Sequence, residues 1–180
     1  MTRIAATLLA LLLFADSARA DEPFDEGSWS VQLYGSYADT FRLGDELTST
    51  VTVAGSYYLV DSFSIGAEAV GYGFETDGDN IPAAGLNGML RWHLLTRERF
   101  SLYIDGGGGI LYADDQIPRG GTHFNYAART GVGGTIELAD DVHLMLGVRY
   151  FHLSNGDIHG RRRNPSIDAI ETYVGVMWTF

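Results

Sequence analysis

The segment from Tyr150 to Asp168, near the C-terminal end, contains the side chains of an acyl-transfer site. Ser154 supplies a hydroxyl nucleophile, His152 an imidazole that can serve as general base, and Asp168 a carboxylate that can orient the imidazole. Together such groups activate a serine for attack on an acyl carbonyl. The segment joins two stretches of alternating apolar residues, so the chemistry depends on how two strands present the three side chains.

Eight stretches of the chain have the alternation and composition of β-strands. We predict strands at residues 29–39, 46–58, 63–74, 84–95, 100–113, 122–138, 142–154 and 167–180. The connections after even-numbered strands are short, whereas those after odd-numbered strands are longer and polar. This alternation is typical of the turns and outer loops of a bacterial outer-membrane barrel. The predicted fold is all-β, an eight-stranded antiparallel transmembrane β-barrel.

The alternation also predicts which side chains face lipid and which face the barrel interior. In the fourth strand Leu86, Leu90 and Trp92 share one face, while Asn87 and Arg91 share the other. The same argument places these charged residues inside: Glu68, Arg91, Asp105, Arg129, Glu137, Arg149 and Glu171. Because eight strands leave room for side chains but little more, we interpret these charges as a structural network.

The first twenty residues predict export. Arg3 precedes a mostly apolar run, and Ala18-Arg19-Ala20 has the form of a cleavage site, so the barrel domain is expected to span residues 21–180. The chain has no cysteine, which excludes disulfides, and its net charge of −11 disfavours nucleic-acid binding. The expected location is the bacterial outer membrane.

The same alternation places the proposed catalytic residues on the outer wall. Because Arg149 belongs inside, His152 and Ser154 face outward, roughly 6–7 Å apart along the strand. In the last strand Asp168 faces outward, whereas Glu171 faces inward unless a bulge shifts the alternation. Polar groups on a lipid-facing stripe are costly, which favours a functional role for them.

Two motifs in this region resemble those of the lipid A 3-O-deacylase (PagL-like) family of outer-membrane acyloxyacyl hydrolases. They are His152-Leu-Ser-Asn155 and Asn164-Pro-Ser-Ile-Asp168. The resemblance implies a carboxylic ester hydrolase that removes an acyl chain, expected to be the 3-O chain, from lipid A of lipopolysaccharide in the outer leaflet. It also implies that Ser154 is the nucleophile, His152 the base and Asp168 the orienting acid.

Two departures from the family pattern leave alternatives open. Some members carry glutamate as the acid, and Ile170-Glu-Thr-Tyr173 offers a second local match, so Glu171 is an alternative to Asp168. The family more often has Ala-Gly where this chain has Gly156-Asp157. The sequence therefore suggests Asn155 as an oxyanion donor but does not identify which backbone amide assists it.

Arg161, Arg162 and Arg163 lie in the same connection and can pair with lipid A phosphates, although a solvated run of charge is an equal alternative.

His159 with Asp157 is weak evidence for a metal site. We expect neither a metal nor a cofactor. The glycine run 106–109 lacks the features of a phosphate-binding loop and is attributed to close packing or bending within a strand.

Three other classes of function remain open at this level. They are a non-catalytic structural barrel, a soluble exported β-sandwich that binds a ligand, and a barrel that transfers the acyl chain to another lipid instead of to water. The sequence does not define the oligomeric state, a homodimer being one alternative.

Overall fold

In the computed structural model the chain forms one closed antiparallel barrel in which each strand pairs with its neighbours in sequence and the last pairs with the first. The structure describes residues 23–41, 46–76, 79–158, 160 and 164–180, so the predicted signal peptide at 1–20 lies outside the described residues. The strands are β1 Trp29–Thr40, β2 Leu47–Val60, β3 Phe63–Thr76, β4 Asp79–Arg97, β5 Phe100–Ile117, β6 Thr122–Ala139, β7 Val142–Ser154 and β8 Ile167–Thr179.

The predicted all-β barrel of eight strands is confirmed, with one correction to its loops. The connections β2–β3, β4–β5 and β6–β7 lie at one end of the barrel, here called the turn end, and the others lie at the loop end. At the loop end the pairing of β3 with β4 continues to Thr76 and Asp79, and β5 extends to Ile117. Polar segments predicted as loops are therefore strand, because backbone pairing does not require apolar side chains.

The outer wall carries the apolar faces predicted from the sequence. Large hydrophobic side chains are exposed on it around the barrel, among them Leu33, Val51, Ile65, Leu86, Leu90, Trp92, Leu102, Ile104, Val132, Leu146 and Val174. An exposed apolar band of this extent is what a lipid-facing barrel wall presents. No helix among the described residues has the length and apolar character needed to cross a membrane.

The interior is packed in three layers. An apolar layer at the loop end includes Phe74, Leu111, Phe151, Leu153 and Ile167. A second apolar layer lies towards the turn end and contains Phe24, Tyr34, Ala54, Tyr58, Tyr103, Met145, Tyr173 and Met177. Charged side chains occupy the layer between them. The lumen is thus filled with side chains, as a barrel of this size permits.

The charged layer pairs three arginines with three carboxylates. Asp105 accepts from Arg91 at 3.2 Å and from Arg149 at 2.7 Å. Arg129 lies 3.6 Å from Glu68 and 3.4 Å from Glu171. Buried charges of opposite sign in this arrangement compensate each other's lost hydration, which supports the structural interpretation of the network. Glu137, also predicted to lie inside, is only half-buried near the turn end.

The glycine run lies inside β5, as predicted, and the reason is close approach of the backbones. A Cβ added to Gly107 would lie 2.1 Å from the carbonyl oxygen of Gly88 on β4, and one added to Gly109 would lie 1.9 Å from that of Leu86. Neither position can hold a side chain without moving the neighbouring strand.

Residues 23–28 fold across the turn end before β1 begins. The Phe24 ring stacks on His93 with centroids 4.0 Å apart and also contacts Tyr58 and His143. The Phe24 carbonyl accepts a hydrogen bond of 2.7 Å from the Ser62 backbone. This segment closes the end of the barrel opposite to Ser154.

Candidate active site

The pairing of β7 with β8 brings the three proposed catalytic side chains together on the outer wall. His152 lies directly opposite Asp168 in the register, and Ser154 is the last residue of β7. His152 Nδ1 is 2.8 Å from Asp168 Oδ1, and His152 Nε2 is 3.2 Å from Ser154 Oγ. The order carboxylate, imidazole, hydroxyl is the one in which a histidine activates a serine.

The neighbours of these residues show why they face outward. Leu153 and Ile167 point into the loop-end apolar layer, so the residues beside them on each strand point away from it. The His152 side chain is 36% exposed, whereas the Asp168 side chain is only 5% exposed. Asp168 is therefore on the outer wall and yet covered.

Two residues that the sequence did not single out cover Asp168. The Tyr150 hydroxyl donates to Asp168 Oδ1, the oxygen that also faces His152. The Ser166 hydroxyl donates to Asp168 Oδ2 at 3.2 Å. A signal for Tyr150 was available, because it lies two residues before His152 and so shares its face of β7. Ser166 precedes β8, where alternation gives no orientation.

Glu171, the alternative acid, is not brought to His152. It points into the barrel, accepts a hydrogen bond of 2.5 Å from Ser36 Oγ and lies 3.4 Å from Arg129. No bulge interrupts the pairing of β7 and β8 between Arg149 opposite Glu171 and His152 opposite Asp168. The alternation of side chains thus holds, and Asp168 is the acid within reach of the imidazole.

A tight turn follows Ser154 directly. Gly156 and Asp157 have positive φ angles of 63° and 62°, and the Ile158 backbone donates to the Asn155 carbonyl at 3.4 Å. The Asn164 side chain ties the turn, because its oxygen accepts from the Asn155 backbone at 2.8 Å and its amide donates to Asp157 at 2.7 Å. Asn155 is buried at the base of this turn, next to the proposed nucleophile.

The remaining proposed site residues belong to the connection between β7 and β8. Arg161, Arg162 and Arg163, the proposed phosphate contacts, lie outside the described residues, as does His159. In the parts of the chain that are described, no three histidine, aspartate or glutamate residues are grouped so that they could hold a metal ion.

The fold is that of an outer-membrane barrel, and the hydrogen-bonded serine, histidine and aspartate on its apolar outer wall form an arrangement that can support acyl transfer. The model of the family described as lipid A 3-O-deacylase (PagL) matches residues 28–177. The chain belongs to the lipid A 3-O-deacylase (PagL) family. It is accordingly an outer-membrane lipid A deacylase, a hydrolase of the bacterial outer membrane.

Solved structures show the same fold at low sequence identity. The outer membrane enzyme PagL is 14% identical, with 80% of this chain and 97% of that chain covered and a TM-score of 0.65. OprG from Pseudomonas aeruginosa is 13% identical, with coverages of 87% and 97% and a TM-score of 0.60. The N-terminal barrel domain of Pseudomonas aeruginosa OprF is 13% identical, with coverages of 86% and 98% and a TM-score of 0.55. No curated protein matches the chain in sequence.

Proposed function

We propose that this protein hydrolyses the 3-O-linked acyl chain of lipid A with Ser154 as nucleophile, His152 as general base and Asp168 as orienting acid. The observation that carries the proposal is the hydrogen-bonded series Asp168, His152, Ser154 on a wall that faces lipid. The family to which the chain belongs supports the 3-O position. Residues 1–20 would direct export and be removed.

The first half of the reaction forms an acyl-enzyme. Asp168 accepts a hydrogen bond from the Nδ1 proton of His152, which leaves Nε2 free to accept the proton of the Ser154 hydroxyl. As that proton moves, Ser154 Oγ attacks the ester carbonyl carbon and the carbonyl oxygen becomes an oxyanion. When the tetrahedral intermediate collapses, His152 gives the proton to the sugar oxygen, which leaves as a hydroxyl.

The second half releases the fatty acid. A water molecule loses a proton to His152 Nε2 as it attacks the acyl carbonyl, and collapse returns the proton to Ser154 Oγ. The 36% exposure of the His152 side chain is compatible with the access to water that this step requires. Because the acceptor is water, the acyl chain leaves as a free acid and is not passed to a second lipid.

Asn155 is the proposed side-chain donor to the oxyanion in both halves. It follows Ser154 directly, and the turn tied by Asn164 restricts its position. A donor held in place before the charge develops stabilises the transition state without further reorganisation. Removing one such donor in comparable sites costs about 10²- to 10³-fold in kcat.

Arg161, Arg162 and Arg163 are the proposed contacts for the phosphates of lipid A. They follow Asn155 in the connection that leaves the loop end of β7, and guanidinium groups bind phosphate through paired hydrogen bonds. Replacing all three with alanine should raise the apparent KM for lipid A more than it lowers kcat. An unchanged KM would assign these residues to the solvated surface.

The test is mass spectrometry of lipid A from a Gram-negative host that expresses the wild-type protein, the Ser154→Ala variant or the Ser49→Ala variant. Ser49 is an exposed serine of β2 far from His152 in the sheet order, which makes it a matched control. We expect one ester-linked acyl chain to be lost with the wild type and with Ser49→Ala, and none with Ser154→Ala.

Fragmentation of the product then assigns the position, and loss from a site other than 3-O would overturn that part of the proposal. Recovery of the acyl chain on another lipid, instead of as free fatty acid, would show transfer in place of hydrolysis. Full activity in the Ser154→Ala variant at matched outer-membrane levels would refute the mechanism.

A further inference from the structure

The phenol of Tyr150 points towards Asp168, the acid of the proposed catalytic triad. Tyr150 lies on the lipid-facing side of β7 and is 40% exposed, as a membrane-interface tyrosine would be. Its hydroxyl nevertheless donates to Asp168 Oδ1. Its ring lies nearly parallel to that of His152, with centroids 6.5 Å apart and an angle of 17° between the planes.

The second oxygen of Asp168 is held as well. Ser166 Oγ donates to Oδ2 at 3.2 Å, so both carboxylate oxygens accept from a hydroxyl. Phe41 contacts both Asp168 and Tyr150. Its backbone N–H donates to the Asp168 carbonyl at 3.3 Å, and its ring centroid is 6.1 Å from that of Tyr150. Asp168 is thereby fixed by neighbours on three segments of the chain.

The location of Asp168 makes these donors important. An ionised carboxylate on a wall that faces lipid is costly unless hydrogen bonds replace its lost hydration. The bond from His152 Nδ1 provides one donor, but an imidazole alone leaves the carboxylate free to rotate away from it. The phenol of Tyr150 and the hydroxyl of Ser166 restrict that rotation and reduce the cost of the charge.

We propose that Tyr150, together with Ser166, positions Asp168 so that it holds His152 in the orientation and tautomer that activate Ser154. This inference rests on the function proposed above. Neither hydroxyl contacts the ester in this scheme; each acts through the carboxylate. Aromatic residues on the outer walls of such barrels commonly lie at the membrane interfaces, and the proposal gives Tyr150 a further role beyond that.

The decisive variant is Tyr150→Phe, which removes the hydroxyl and keeps the ring. Tyr57→Phe is the matched control, because Tyr57 is an outer-wall tyrosine near the turn end whose ring packs on Trp29 at 4.8 Å. Purified proteins in detergent micelles would be assayed for fatty acid released from lipid A. Rates would be normalised to the folded fraction, measured from the heat-dependent migration of the barrel on gels.

For Tyr150→Phe we expect kcat to fall about tenfold or more, since a hydrogen bond to a charged group is lost. The apparent KM for lipid A should stay within about twofold of the wild type, because the lost group does not touch the substrate. Ser166→Ala should show the same pattern and keeps the test decisive if the first variant folds poorly. Tyr57→Phe should match the wild type.

The outcomes separate this inference from the function on which it rests. An active wild type and an inactive Ser154→Ala variant, beside Tyr150→Phe and Ser166→Ala variants with normal kcat, would refute the positioning role alone. A rise in KM without a fall in kcat would assign Tyr150 to substrate binding instead and would overturn the inference. Activity in Ser154→Ala would remove the proposed mechanism and this inference together.

Discussion

Replacing Asp168 with asparagine, beside Glu171→Gln, tests which acid serves the imidazole. Asp168→Asn keeps the size of the side chain but removes the charge that faces His152 Nδ1 at 2.8 Å. The amide can also donate to Nδ1, which would favour the tautomer in which Nε2 carries the proton. In that tautomer Nε2 can no longer accept the proton of Ser154.

The expected magnitude follows from the geometry. A carboxylate and an imidazolium whose charges are about 4 Å apart interact by about 4 kcal/mol at an effective dielectric constant of about 20. Because each 1.36 kcal/mol is a factor of ten, full loss would slow acylation by about 10³-fold. The His152 side chain is 36% exposed, so solvent screens part of this interaction. We expect kcat to fall by about 10²- to 10³-fold.

Glu171→Gln should have the opposite pattern. The change removes the charge that faces Arg129 at 3.4 Å inside the barrel, and breaking a buried pair costs about 3–5 kcal/mol. Less protein should fold, but activity per folded barrel should remain close to that of the wild type, because Glu171 does not reach His152.

Both variants would be assayed for release of fatty acid from lipid A in micelles, with folded protein measured separately. If Asp168→Asn kept a kcat within about threefold of the wild type, the Asp168 charge would not be what stabilises the imidazolium during acylation. If the loss of activity per folded barrel appeared with Glu171→Gln instead, the assignment of the acid from the strand register would be wrong.

Three further predictions follow from other parts of the structure. Asn155→Ala should lower kcat about 10²-fold with little change in KM, measured in the same assay, and normal kcat would exclude it as the oxyanion donor. Asn164→Ala removes both hydrogen bonds that tie the turn after Ser154 and should lower kcat about tenfold without altering thermal unfolding of the barrel. Phe24→Ala should destabilise the barrel by about 3 kcal/mol in urea titration. Activity per folded protein should stay constant, because Phe24 lies at the turn end and Ser154 at the loop end. A loss of activity per folded protein would contradict the independence of the two ends.

Much of this architecture could be predicted from the amino-acid sequence, because side-chain alternation is a local property of an extended backbone. Once Arg149 is placed inside, His152 and Ser154 have to face outward. The same alternation separates Asp168 from Glu171 and locates the buried charges. The same alternation predicts the barrel, because an apolar face recurs on each of the eight strands.

The register between β7 and β8 was beyond the reach of sequence reasoning. The long connection 155–166 does not define which residue of β8 lies opposite His152, and only the pairing of β7 with β8 in the folded sheet places Asp168 there. The continuation of β3, β4 and β5 beyond the apolar band also depends on pairing between strands and not on side-chain type.

The surroundings of Asp168 likewise arise only from tertiary structure. Tyr150 lies on β7 before the long connection and Ser166 is the last residue of that connection, yet their hydroxyls donate to the two oxygens of one carboxylate. Alternation predicts the direction of a side chain, but whether a carboxylate on that face is exposed or covered depends on what neighbouring strands bring to it. Local periodicity therefore determined where the three proposed catalytic residues point, and the register of β7 against β8 determined that they meet.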